Sequence, residues 1–221
     1  MIQHALIMAA GRGARMMPLT ADIPKAMAPY DGSTLIARGL DRVGRFVPNV
    51  YVTVGYKGAL LAEHVISHGV SGIFDTSGRN NAWWIFNTLM RSLDEPVFVL
   101  TCDNVWFIDF TAVQEEYYRF GSPWCMVIPV EPVKGLDGDY IHHIKGRVAK
   151  ISRAEIAATY CSGIQVLNPK RIHDNLNKCD NFYELWAQLI SANQLYTSSV
   201  SPTRWFAADT LDQLDRIPLG L

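Results

Sequence analysis

Along the first hundred residues of this 221-residue chain, short runs of strand character alternate with stretches whose apolar residues fall at helical spacing. Met1 to Ala9, Val50 to Val54, Val70 to Phe74 and Pro96 to Leu100 are the runs. Between them lie a segment capped by Ser33 or Thr34 and ending at Gly44, then Lys57 to Ser67, then Asn80 to Leu93. A continuous apolar run of about five residues suits a strand covered on both faces. Parallel neighbours need crossovers, and helices supply them. The spacing therefore predicts an α/β fold with a mixed, mostly parallel central sheet and helices on both faces.

The second half changes character. Trp124 to Val130, Tyr140 to Ile144, Val148 to Ser152 and Tyr160 to Leu167 read as strands with little helix between them, hence a small antiparallel addition. Asn181 to Asn193 reads as a helix, and Thr203 to Ala208 with Thr210 to Ile217 as a last strand and closing helix. No linker, repeat or low-complexity tract marks a boundary, so 1–221 is expected to be a single domain.

Composition narrows the partners. Twenty Lys and Arg against twenty-one Asp and Glu leave a net charge of −1, which offers no general attraction for nucleic acid or an anionic membrane. No apolar stretch approaches the ~20 residues of a spanning helix. Four widely spaced cysteines without a CxxC pair, and no leader before the first strand, suggest reduced thiols and a cytoplasmic setting.

In open sheets ligands sit beyond the carboxyl ends of the parallel strands. After the first of these the chain reads AAGRGARMMPLTADIPKAM from Ala9. Gly11 and Gly13 permit close approach of backbone amides to a phosphate, and Arg12, Arg15 and Lys25 supply charge. The loop is not a GxxxxGK[ST] loop. Nor is it the dinucleotide GxGxxG, because Met16 holds the third glycine position.

This segment resembles the signature of bacterial nucleotidyltransferases, the family of sugar-1-phosphate nucleotidyltransferases and phosphocholine cytidylyltransferases. The pattern AAGxGxRMxPLTxxxPKxM is met by Ala9, Ala10, Gly11, Gly13, Arg15, Met16, Pro18, Leu19, Thr20, Pro24, Lys25 and Met27. More weakly, the resemblance extends through Gly55 to Val65, Thr101 to Asn104, Ser162 to Ile164 and Trp205. It implies a Rossmann-like nucleotidyltransferase fold in which Ala9, Ala10, Gly11, Arg12 and Gly13 wrap a nucleoside triphosphate. Arg15 would meet the departing pyrophosphate and Lys25 the reacting phosphate. The expected reaction transfers a nucleoside monophosphate to a phosphorylated sugar or other small phosphorylated alcohol, for surface-glycan or lipid-conjugate precursors. CTP or UTP is the favoured donor and Mg2+ the cofactor.

Pro96 to Leu100 delivers Asp103 to the sheet edge, where a metal or a hydrogen-bond network must offset the cost of a carboxylate. Capping a turn is the plainer role for Asp103 and Asn104. The resemblance implies a second acidic ligand in a Trp-x-acid pattern, and there Trp205-Phe206 is followed by Ala207. Asp209 either replaces that ligand or serves as the N-cap of the closing helix. On the acceptor side, Asn80 and Asn81 followed by aromatics resemble the phosphocholine branch; Arg79 at a helix N-terminus is expected to meet the acceptor phosphate, Trp83 or Trp84 to line the pocket, and Gly163 and Glu184 to be further contacts. Two tryptophans on a helix are more often core. Ser152-Arg153 stands where the family has a Glu-Lys pair, leaving Arg153 or Lys150 to supply positive charge. His142 and His143 point to opposite strand faces and make no metal pair. The rival reading is a non-catalytic, nucleotide-sensing binding module of the same fold.

Overall fold

The computed structural model describes residues 1–220. The chain opens with β1 (His4–Met8), a short α1 (Leu19–Asp22), the small pair β2 (Pro29–Tyr30) and β3 (Ser33–Thr34), and α2 (Leu35–Val43). Next come β4 (Asn49–Val54), α3 (Gly58–Ile66), β5 (Gly72–Asp75), α4 (Trp83–Asn87), β6 (Val97–Thr101) and β7 (Asn104–Phe107). They are followed by α5 (Phe110–Arg119), β8 (Cys125–Val130), β9 (Tyr140–Ile144), β10 (Arg147–Ser152) and β11 (Tyr160–Leu167). The order ends with α6 (Pro169–Asn175), α7 (Phe182–Ser191), β12 (Leu195–Thr197), β13 (Arg204–Ala207) and α8 (Leu211–Asp215). The fold is mixed α/β, as the alternation predicts.

Two compact units form. One holds Gln3–Arg79, Leu100–Trp106 and the segment from Arg204. Its strands β5, β4 and β1 are parallel neighbours, with Leu6 opposite Tyr51 and Tyr51 opposite Gly72. The apolar runs are buried here because both faces are covered: Ala5, Leu6 and Val52 are fully enclosed. Thr34 caps α2 by accepting from the Ala37 amide at 3.2 Å, and Leu35, Ile36, Ala37, Leu40 and Val43 form its buried face. Where the chain returns after β6, the Cys102 amide donates to the Met8 carbonyl at 3.1 Å. The loops that follow β1 and β6 thus leave the same edge.

The other unit holds Met1–Ile2, Asn80–Val99 and Phe107–Thr203. Strand order there is β6-β11-β8-β12-β10-β9. β11 runs antiparallel to β6 and β8, β12 runs parallel to β8, and β9 and β10 form an antiparallel hairpin. All six residues of β8 are buried, in keeping with its continuous apolar sequence.

Several elements depart from the sequence pattern. Asn80 to Leu93 is not one helix: Thr88 is extended, and its hydroxyl donates to the Trp84 carbonyl and accepts from the Met90 amide. α4 ends there and a single 3-10 turn begins. The sequence pattern also omits α5, α6 and the short elements α1, β2, β3, β7 and β12. In α5 the buried face is Phe110, Val113, Glu116 and Tyr117, so a carboxylate interrupts the apolar period. Glu116 tolerates burial because Ser198 and Ser199 hydroxyls, the Ser199 amide and Arg119 all donate to it.

Candidate active site

Beyond β1, the Ala9 amide donates to both the carbonyl and the hydroxyl of Thr53, and the Tyr56 amide donates to the Ala10 carbonyl at 3.0 Å. The loops after β1 and β4 are therefore tied together. Gly55 is required at this crossing, since a Cβ there would stand 2.7 Å from the Ala10 carbonyl oxygen. Gly11 has open space around it, whereas Gly13 adopts a left-handed conformation at φ 69°. The Gly13 carbonyl accepts from the Thr20 hydroxyl and the Met16 amide, both at 2.9 Å. Met16 is fully buried and anchors the loop where a dinucleotide loop would carry its third glycine. Arg12 lies over the Tyr56 ring, its guanidinium carbon 5.4 Å from the centroid.

The loop brings Lys25 inward. Its side chain is only 8% exposed, and its ammonium donates to Asp103 Oδ2 at 2.8 Å and to Asp209 Oδ1 at 2.7 Å. Burial disfavours the charged lysine, yet the two carboxylates outweigh burial and hold its pKa above the ordinary value. Arg15 reaches Asp209 Oδ1 from the solvent side at 3.0 Å. The sequence-predicted residues Arg15, Lys25, Asp103 and Asp209 thus form one cluster, with Lys25 bridging the two carboxylates.

Strand pairing explains how Asp209 arrives. Asp103 lies in the turn between β6 and β7, β13 pairs with β7, and the Ala208 amide donates to the Asp103 carbonyl at 2.8 Å. Ala207 closes β13, and Asp209 follows two residues later beside Lys25. Asp209 is not the helix cap: Thr210 accepts from the Gln213 amide, and the Gln213 side chain accepts from the Thr210 amide in a capping box. The threonine leaves the Asp209 carboxylate available to the cluster.

Asp103 and Asp209 present hard oxygen donors to one cation, so this pair is suited to a divalent metal. Among the described residues no group of three or more His, Cys, Asp or Glu converges. Mg2+ commonly takes only one or two carboxylates and fills its shell with phosphate oxygens and water.

The residues expected on the acceptor side, other than Arg79, belong to the other unit. Arg79 lies in an exposed turn, its amide donating to the Thr76 carbonyl at 3.0 Å. It does not stand at a helix start, because α4 begins at Trp83. Asn80 is exposed, and its carbonyl accepts from the Trp83 amide. Asn81 Oδ1 accepts from the Phe182 amide at 3.0 Å and so fixes the start of α7. Of the two tryptophans, Trp84 is core and Trp83 half-buried. Gly163 has φ 82° at the irregular register of β11, beside Ser162, whose hydroxyl donates to the Ile128 carbonyl. Glu184 is exposed and accepts from the Asn181 side chain at 2.8 Å. Lys150 pairs with Glu155.

A polar cluster that the sequence pattern does not announce surrounds Asp139. Arg153 Nε donates to Asp139 Oδ1 at 2.9 Å, the Tyr183 hydroxyl donates to the same oxygen, and the guanidinium lies over the Tyr183 ring at 5.5 Å. Partial burial, then the Asp139 charge, push the Tyr183 phenol up to about 12. Arg153 was legible as a basic residue at a family position. Its partners were not, because they lie on β9's approach and on α7.

Residues 5–157 match the MobA-like NTP transferase domain family. An N-acetylmuramate alpha-1-phosphate uridylyltransferase from Caulobacter vibrioides is 27% identical over 201 residues, covering 84% of this chain and 83% of that protein. The bifunctional protein GlmU of Methanococcus aeolicus is 38% identical over 60 residues, 27% of this chain, and the match spans only 15% of that protein's length. Among solved structures, the inositol-1-phosphate CTP transferase from T. maritima superposes with a TM-score of 0.76 at 16% identity, over 96% of this chain and 91% of the other. That likeness establishes a shared fold.

Proposed function

The chain belongs to the MobA-like NTP transferase family, and we propose that it transfers a nucleoside monophosphate from a nucleoside triphosphate to a phosphorylated sugar or other small phosphorylated alcohol. An oxygen of the acceptor phosphate attacks the α-phosphorus, the bond to the bridging oxygen breaks, and pyrophosphate leaves. The observation that carries this proposal is the convergence of Lys25, Arg15, Asp103 and Asp209 at the glycine loop.

The reaction gathers several negative charges at one phosphorus, and fixed cations lower that cost where they are pre-placed. Lys25 and Arg15 are such cations, and the amides from Ala9 to Gly13 supply neutral donors. Asp103 and Asp209 would hold Mg2+, which when bound neutralises phosphate charge. CTP or UTP is the favoured donor, in keeping with relatives named for CTP and for uridylyl transfer. The product would feed surface-glycan or lipid-conjugate synthesis in the cytoplasm. Arg79, Asn80, Asn81, Trp83, Gly163 and Glu184 are proposed acceptor contacts, joined by Arg153.

The non-catalytic alternative draws its force from Ala207, and Asp209 removes much of it by supplying a carboxylate. Pyrophosphate release is the test, with CTP, UTP, GTP, ATP and dTTP against a panel of phosphorylated sugars and alcohols. Turnover with one pair supports the transferase. Nucleotide binding without release from any pair means a binding module.

A further inference from the structure

Asp103 Oδ2 and Asp209 Oδ1 both accept from one ammonium, that of Lys25, at 2.8 and 2.7 Å. A divalent ion drawn to either oxygen would meet a full positive charge within hydrogen-bond distance, on a lysine whose side chain is only 8% exposed. Like charges so placed disfavour each other strongly. The lysine also has a stabilising task, since it offsets repulsion between two neighbouring carboxylates. Its stem runs against the glycine loop: a Cβ on Gly13 would stand 2.6 Å from Lys25 Cβ and 3.0 Å from its Cγ and Cδ. The segment proposed to receive phosphates therefore borders the lysine directly.

We infer that Lys25 is a built-in counter-ion for the metal carboxylates, released when a triphosphate offers its ammonium a new anionic partner, so that divalent metal enters with or after the nucleotide. The inference rests on the nucleotidyltransferase reading above and adds an order of binding to it. Arg15, 69% exposed and paired with Asp209 at 3.0 Å, can swing from carboxylate to phosphate with little loss of packing. Because coupling is reciprocal, metal raises nucleotide affinity by the factor by which nucleotide raises metal affinity. Removing the ammonium should reduce that coupling to the part that phosphate oxygens shared with the metal supply.

The test is Mn2+ titration followed by electron paramagnetic resonance, on wild type, Lys25→Met, Lys25→Gln and Lys25→Met with Asp209→Asn. Each is titrated alone and with a non-reacting α,β-methylene analogue of CTP or UTP, after thermal melting confirms folding. Wild type alone is expected to bind Mn2+ at least about tenfold more weakly than either Lys25 variant alone. Adding Asp209→Asn should abolish the gain. Wild type binding Mn2+ as tightly as Lys25→Met without nucleotide overturns the counter-ion role. Should neither lysine variant fold, wild type alone binding one Mn2+ as tightly as with the analogue overturns it equally. Calorimetry keeps the two claims apart: failure of wild type to bind any analogue strikes the nucleotidyltransferase reading. Intact analogue binding with no gain in the variants strikes the counter-ion role alone.

Discussion

Gly13 and Lys25 are packed so closely that a methyl group on the glycine would stand 2.6 Å from the lysine Cβ. Gly13 also holds φ 69°, where an L side chain costs about 1–2 kcal/mol. Gly13→Ala should therefore displace Lys25 from the carboxylates as well as strain the loop. The expected outcome is a loss of kcat/KM of about 100-fold or more with weaker nucleotide binding. Pyrophosphate-release kinetics and nucleotide calorimetry check it, and wild-type values for both would refute the role given to this contact.

Asp209, rather than the position of Ala207, is expected to carry the second metal carboxylate. Asp209→Asn keeps the shape but removes the charge, and should lower kcat/KM by about 100-fold or more. Ala207→Asp introduced into that variant should not restore turnover, because residue 207 lies two positions earlier at the end of β13. Recovery to within about tenfold of wild type would transfer the role to residue 207.

Glu116 gives a prediction about stability alone. Burial raises its pKa, but the Ser198 and Ser199 hydroxyls and the Ser199 and Val200 amides outweigh burial and hold it below the usual carboxylate value. A depressed pKa means that the contribution is present above the ordinary carboxylate pKa and is lost as pH falls through the native one. Glu116→Gln should cost about 2 kcal/mol near neutral pH, lowering Tm by roughly 4–8 °C. The gap between the two proteins should close as pH drops below about 4. A gap that stays constant with pH would assign the loss to packing.

How far the sequence carried these conclusions depended on how local each interaction is. The loop from Ala9 to Met27 was legible because its glycines, prolines and cations keep fixed spacings within one segment. The Thr34 cap was legible for the same reason. α5 was obscured because Glu116 sits on its core face, and the serines that make this tolerable lie 82 and 83 residues away. The bond that Asn81 Oδ1 accepts from the Phe182 amide, 101 residues on, was likewise not legible. Asp209 and Thr210 can each cap a helix, and the Thr210–Gln213 capping box decides between them locally, whereas the arrival of Asp209 beside Lys25 depends on the pairing of β13 with β7. Long-range partners of a polar side chain leave no periodicity for a sequence to display.

Arg15 and Lys25 should separate catalysis from stability. Arg15 is 69% exposed, and its ion pair with Asp209 is the solvent-facing kind worth about 0–1 kcal/mol. Arg15→Ala is therefore expected to leave Tm within about 2 °C of wild type. Turnover should still fall by about 10- to 100-fold, because a cation aimed at developing phosphate charge acts in the transition state whatever it contributes to folding. Lys25→Met should lose more, about 100- to 1000-fold, and also lower Tm, since both buried-facing carboxylates lose their shared partner. In the double variant the losses need not multiply, because both cations meet Asp209 and act as one cluster. The assay is pyrophosphate release at saturating acceptor, with melting curves on the same preparations. Turnover at wild-type levels in the double variant would remove the electrostatic basis for phosphoryl chemistry at this loop.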